Sequence, residues 1–257
     1  MRVFHFQLST LNFRLIFPMI RALLLFVYVG LALILVLPWL ILWSLITGKP
    51  DAMYNVAMKA VRLAMRLVGI RVHVEGIENI PPGVCVFAAN HISTIDPMAF
   101  IPAIPRRVAI LVKKELFRIP FLGTAMRLAN FVAVDREDRE SAAASVDLAV
   151  ERLKQGLSFA VYPEGTRSSD GRLRPFKKGT FLMAIQAGVP VVPVSIAGAQ
   201  KVMPKGARAI RSGDVTVRFG PPVNAAEYTL DRRADLLARV QDAVAAGLPD
   251  DQQPLSS

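Results

Sequence analysis

The chain has 257 residues, is 53% hydrophobic and carries a formal net charge of +11. That length suits one large α/β domain with an appendage rather than two ordinary domains. A single cysteine excludes an intrachain disulfide, and with three scattered histidines it offers no ligand cluster, so no metal is expected.

The first element is apolar. Residues 22–46 read ALLLFVYVGLALILVLPWLILWSLI, without a charge. About 25 residues at 1.5 Å rise make a helix of roughly 37 Å, against a bilayer core of about 30 Å. The stretch is too long for a signal-peptide core, and no small-residue cleavage site follows it. Pro38 should kink the helix, and Trp39 and Trp43 suit a membrane interface. A single span and a hairpin dipping into one leaflet both fit this pattern. A buried core helix is the remaining alternative.

Basic residues surround this segment. No acid occurs before Asp51, whereas Arg2, Arg14, Arg21 and Lys49 do. Residues 52–70 read as a helix with Lys59, Arg62 and Arg66 on one side. A basic amphipathic helix beside an apolar anchor suits membrane lipid as a partner. Nucleic acid is set aside, because no aromatic-plus-basic module appears and an anchor has no role there. The charges flanking the anchor are basic on both sides and fix no orientation. A lone cysteine fits a reducing compartment, hence the cytoplasmic side.

The globular part follows. Residues 1–70 are expected to be anchor and basic helix, residues 71–246 the globular domain, and residues 247–257 a disordered tail. Strands are expected at 72–74, 84–87, 108–112, 131–134, 158–162, 191–196 and 215–219, with helical stretches between several of them. The clearest helix repeats apolar residues at Val146, Ala149, Val150 and Leu153, with Gly156 at its C-terminal end. Apolar runs separated by helices predict an α/β fold, a mostly parallel sheet covered on both faces. In such sheets chemistry gathers beyond the strand C-termini.

Two polar turns hold that position. The first is Asn90-His91-Ile92-Ser93-Thr94-Ile95-Asp96-Pro97. Asp96 before Pro97 has the form of a helix N-cap, with proline at the first helical position. The same carboxylate could fix one imidazole nitrogen of His91 and leave the other to take a proton from an alcohol. Ser93, so close in the turn, is expected to support the backbone rather than act as nucleophile. His73, between Val72 and Val74, should point to the other face of its strand.

The second turn is Tyr162-Pro163-Glu164-Gly165-Thr166-Arg167-Ser168. It reads either as a tight turn with Gly165 at positive φ and a surface Glu164–Arg167 pair, or as an anion site. In the anion reading Arg167 grips phosphate in fork geometry and Glu164 orients it. Lys113, Lys114, Arg136, Lys177 and Lys178 also stand at strand ends or before helices, where phosphate is attracted.

These residues carry a family resemblance. The chain resembles the glycerolipid acyltransferases, most closely the bacterial 1-acyl-glycerol-3-phosphate (lysophosphatidic acid) acyltransferases. The N-H-x-S-x-x-D motif is met by Asn90, His91, Ser93 and Asp96. An apolar strand ending in arginine runs from Phe131 to Arg136, and P-E-G-T-R-S is complete from Pro163 to Ser168. An upstream segment matches at Lys114-Glu115-Leu116, Ile119-Pro120 and Gly123, and a V-P-V-x-P-V-type strand at Val189 to Val194.

The resemblance implies a glycerol-3-phosphate acyltransferase-like fold and acyl transfer from acyl-CoA or acyl carrier protein to lysophosphatidic acid, with no further cofactor. It implies His91 as general base and Asp96 as its partner. It implies Arg136, Glu164, Gly165, Thr166, Arg167 and Lys114 around the phosphate-bearing acceptor, and Pro193 shaping the acyl side. A bacterial inner-membrane enzyme with a cytoplasmic active site is expected. Another lysolipid as acceptor, or a non-catalytic binder of anionic lipid, are the competing readings.

Overall fold

The seven apolar runs become seven strands of one sheet in a computed structural model that describes residues 2–135 and 138–254. They are β1 (Ile70–Glu75), β2 (Val86–Ala89), β3 (Val108–Lys113), β4 (Val132–Val134), β5 (Ser158–Val161), β6 (Val191–Ala197) and β7 (Gly213–Phe219). Their order is β1-β7-β6-β2-β5-β3-β4. Every pair is parallel except β6–β7, which is antiparallel. Central strands β2 and β5 are buried at every residue, as strands covered on both faces must be.

Side-chain alternation sends residues to two cores. Phe87, Val192, Val194, Val215 and Val217 join Met65 of α3 (Pro50–Leu67) and Phe100 of α4 (Asp96–Ala103) on one face. Val86, Ala88, Val161 and Val191 join the other face. There they meet Leu153 of α6 (Arg139–Lys154), Phe181 of α7 (Gly179–Ala187) and Leu236 of α9 (Arg233–Ala246). Helix α6 ends as its glycine predicts: Gly156 has φ +95, and Leu157 N donates to Arg152 O at 3.0 Å, a Schellman-type closure.

The apolar segment is one continuous helical rod, not a hairpin. It runs from Arg2–Leu31 through a π-helical stretch, Ala32–Val36, into Leu37–Thr47. Pro38 is the reason for the irregular stretch. It lacks an N–H and crowds the preceding turn, and the widened π turn absorbs both effects. Gly48, at φ +65, stops the helix. Residues Ile16–Thr47 are long and apolar enough to cross a membrane.

One side of the rod is docked. Tyr28 Oη donates to Ala60 O of α3 at 3.1 Å. Leu37 and Ile41 of the rod form a small core with Met53 of α3, and Ala125 and Leu128 of α5 (Leu122–Leu128) pack against it. The opposite side is bare, with Phe26, Trp39 and Ile46 at 77%, 70% and 75% exposure.

Residues 248–253 differ from the expected disorder. Leu248 is buried, Gln252 is fully buried, and Gln252 O accepts from Leu173 N at 2.8 Å. Arg172 Nη1 also donates to Gln253 O at 3.1 Å. Low apolar content predicted no structure here, but backbone hydrogen bonds to the 171–173 loop hold it.

Candidate active site

The parallel strands bring the C-terminal ends of β2, β5, β3 and β6 to one sheet edge, and both polar turns lie there. Asn90 fixes the exit from β2. Its Nδ2 donates to Ile196 O at 2.9 Å, and its Oδ1 accepts from Ile196 N at 2.7 Å. The side chain thus extends the β2–β6 ladder by one fully buried step.

The next residue is bracketed by the second turn. His91 N donates to Glu164 Oε1 at 2.7 Å, and His91 O accepts from Ser168 N at 2.8 Å. Asp96 Oδ2 then accepts three times: from His91 Nδ1 at 2.8 Å, Ile92 N at 2.7 Å and Ser93 N at 2.7 Å. Two backbone donors fix the carboxylate, and the carboxylate assigns the proton to Nδ1. Nε2 is left with no hydrogen-bond partner among the described residues, on a ring 13% exposed. Burial pushes the Asp96 carboxyl upward, while His91 and the two amides oppose that shift.

Tyr162 sets the ring plane. Its ring stacks on the imidazole with centroids 4.1 Å apart and planes 20° apart, and its own position is set edge-on by Phe100. Burial, then the nearby Asp96 charge, holds the Tyr162 hydroxyl well above its ordinary pKa, so it stays protonated. Ser93 Oγ donates to Met203 O at 2.5 Å and accepts from Ile95 N at 3.2 Å. That hydroxyl is occupied by backbone.

Two expectations are corrected. Asp96 does not cap α4. Ile95 holds the cap position, and its carbonyl accepts from Met98 N and Ala99 N. Those are the amides an Asp96 cap would have needed, so the carboxylate turns back to three donors in the preceding turn. Glu164 does not orient Arg167 either. It is 2% exposed and spends Oε1 on the His91 amide. Burial, chiefly, pushes its carboxyl up to about 8.

Gly165 has φ +73, as the tight-turn reading requires. A Cβ there would come within 3.0 Å of the Lys177 side chain, so the glycine leaves room for a lysine over the turn. Thr166 is exposed, and Arg167 Nη1 donates to Thr94 Oγ1, joining the two turns. Lys205 Nζ donates to Arg167 O at 2.9 Å and adds a cation nearby.

Lys114 follows β3 and pairs with Asp135 beyond β4. Arg136 lies outside the described residues. Pro193 is not brought to this edge. It is buried within β6, aligned with Ala88, and alternation puts it on the face away from α4. Asn90 and Tyr162 have structural roles here that the sequence reading did not assign. The available signal was position: a polar residue and an aromatic closing two buried strands.

An apolar cavity of about 290 Å³ opens beside α4. The docked rod supplies Tyr28, Leu33 and Leu37, and the domain supplies Met98, Met126 and Phe131. Met98 sits in the same first turn as Asp96, so the cavity shares an element with the dyad.

Comparison with known proteins identifies relatives of the whole chain. The acyltransferase family profile matches residues 71–197. A 1-acyl-sn-glycerol-3-phosphate acyltransferase of Limnanthes alba is 32% identical over 229 residues, covering 89% of this chain and 79% of that protein. The alpha form of that enzyme from Homo sapiens is 36% identical over 194 residues, covering 73% and 68%. The crystal structure of the 1-acyl-sn-glycerophosphate (LPA) acyltransferase of Thermotoga maritima matches with a TM-score of 0.79 at 29% identity. That match covers 90% of this chain and 94% of the other. Both turns of the site fall inside the matched profile, and the chain belongs to the acyltransferase family as an O-acyltransferase.

Proposed function

We propose that the enzyme moves a fatty acyl group from an acyl thioester, acyl-CoA or acyl carrier protein, to the free hydroxyl of 1-acyl-glycerol-3-phosphate, giving phosphatidic acid. The observation that carries this reading is His91: Nδ1 held by Asp96 at 2.8 Å, Nε2 unpartnered among the described residues. Nε2 takes the proton as the hydroxyl oxygen attacks the thioester carbonyl. The tetrahedral intermediate collapses with cleavage of the C–S bond, and the imidazolium returns its proton to the departing thiolate. Asp96 stabilises the imidazolium between these steps. The engagement of Ser93 Oγ with Met203 O and Ile95 N supports direct transfer without an acyl-serine.

Arg167, with Arg136 and Lys114, would receive the acceptor phosphate. The apolar cavity walled by Met98 and the helical rod would receive a fatty chain. In this reading the rod attaches the enzyme to a bacterial inner membrane, with the site on the cytoplasmic side, where thioester donors are made.

A donor and acceptor panel on purified protein tests this. Lysophosphatidic acid is expected to be the preferred acceptor, and Arg167→Ala to raise its KM at least about tenfold. With monoacylglycerol, which lacks the phosphate, Arg167→Ala should change little. Equal losses with both acceptors would contradict phosphate binding by Arg167.

A further inference from the structure

A second cavity, of about 460 Å³, lies between α3, β1 and α4, on the other side of Met98 from the first. Its floor is apolar: Met65 from α3, Val72 and Val74 from β1, Met98 and Ala103 from α4. Val74 is 42% exposed there, an open apolar position on the edge strand of the sheet. Arg62 and Arg66 line the same cavity, one helical turn apart on α3. Arg21 does not line the cavity but lies close to Gly69, which does. Arg21 Nε lies 3.8 Å from where a Gly69 Cβ would be.

The charges are uncompensated. Arg66 and Arg21 have no ion-pair partner among the described residues, and Arg62 reaches only the Pro102 carbonyl. Arg71 contributes no free charge, because Asp214 holds it in a two-pronged pair on the other face of β1. An apolar trough rimmed by guanidinium groups fits an amphiphile with an anionic head. A free phosphate would leave the trough empty, and a neutral lipid would leave the arginines unmatched. Arg21 belongs to the apolar rod, whose outer side is bare, so the cavity mouth stands where lipid is supplied.

We propose that this cavity binds one anionic phospholipid, its phosphate on Arg62 and Arg66 and one chain along Val72 and Val74. The site is separate from the acceptor's. It gives the enzyme a specific hold on anionic membrane beyond non-specific attraction of its charge.

Calorimetric titration of the full-length protein tests this, using dihexanoyl-phosphatidylglycerol, its phosphatidylcholine counterpart and inorganic phosphate as probes. The phosphatidylglycerol is expected to bind, and the other two to bind far more weakly. The double variant Arg62→Ala/Arg66→Ala should weaken that binding roughly tenfold or more. Ala103→Trp, which fills the trough without touching charge, should weaken it as much. Both variants should keep the native KM for the acyl acceptor. Unchanged binding in both variants would overturn the proposal. So would inorganic phosphate binding as tightly as the lipid. A rise in acceptor KM matching the loss of lipid binding would also overturn it, by making the cavity part of the substrate site.

Discussion

One oxygen of Asp96 holds a ring nitrogen and two amides, so the imidazole cannot swing without breaking the turn that carries it. Glu164 acts one layer out, through the His91 amide. Its carboxyl, pushed to about 8 by burial, makes a testable statement about stability. The folded protein keeps a proton on Glu164 that the unfolded chain releases near 4.5. Stability from this group is full below about 4.5 and is lost as pH rises through about 8. Glu164→Gln keeps the acceptor oxygen and removes the titration. Its melting temperature relative to the native protein should therefore climb by several degrees between pH 5 and pH 8.5; a constant difference across that range would refute the burial argument. His91 and Asp96 could be read from their spacing. Glu164's partner could not, because it is a backbone amide 73 residues away.

At the scale of elements, apolar runs and their alternation made the seven strands and two faces legible, since sheet burial imposes period two on the chain. Direction was not legible. Nothing in the run 215–219 shows that β7 turns antiparallel to β6, because both strand types bury the same residues. Pro38 announced a disturbance of the helix but not its form, a π stretch that keeps the rod continuous. Asn90 joins elements that its neighbours in sequence do not reveal. It satisfies both the N–H and the C=O of Ile196 inside the sheet. Asn90→Ala would orphan both groups and should cost about 2–5 kcal/mol of stability. Chemical denaturation would measure it, and a loss under about 0.5 kcal/mol, the level of a surface substitution, would contradict the role assigned to this side chain.

At the scale of the molecule, the apolar rod is long enough to cross a membrane and also walls the domain. Tyr28, Leu33 and Leu37 close one side of the cavity whose other side is α4 and α5. A detachable anchor would leave a working domain behind when removed. Here, deletion of residues 2–47 should expose Met53 and Met126, cause association in size-exclusion chromatography and abolish transfer even in detergent. A monodisperse, active product would show the rod to be dispensable. The sequence showed a hydrophobic segment of spanning length, but which side of it packs on the domain depends on tertiary contacts with α3 and α5. His91 Nε2 has no hydrogen-bond partner among the described residues, and in the proposed mechanism it takes the acceptor's proton. The most direct test is kcat/KM for acyl transfer to lysophosphatidic acid by purified His91→Ala protein. If His91 is the base, kcat/KM falls by about 10² to 10⁴-fold in a protein with native melting behaviour; transfer at near-native rate would contradict that role.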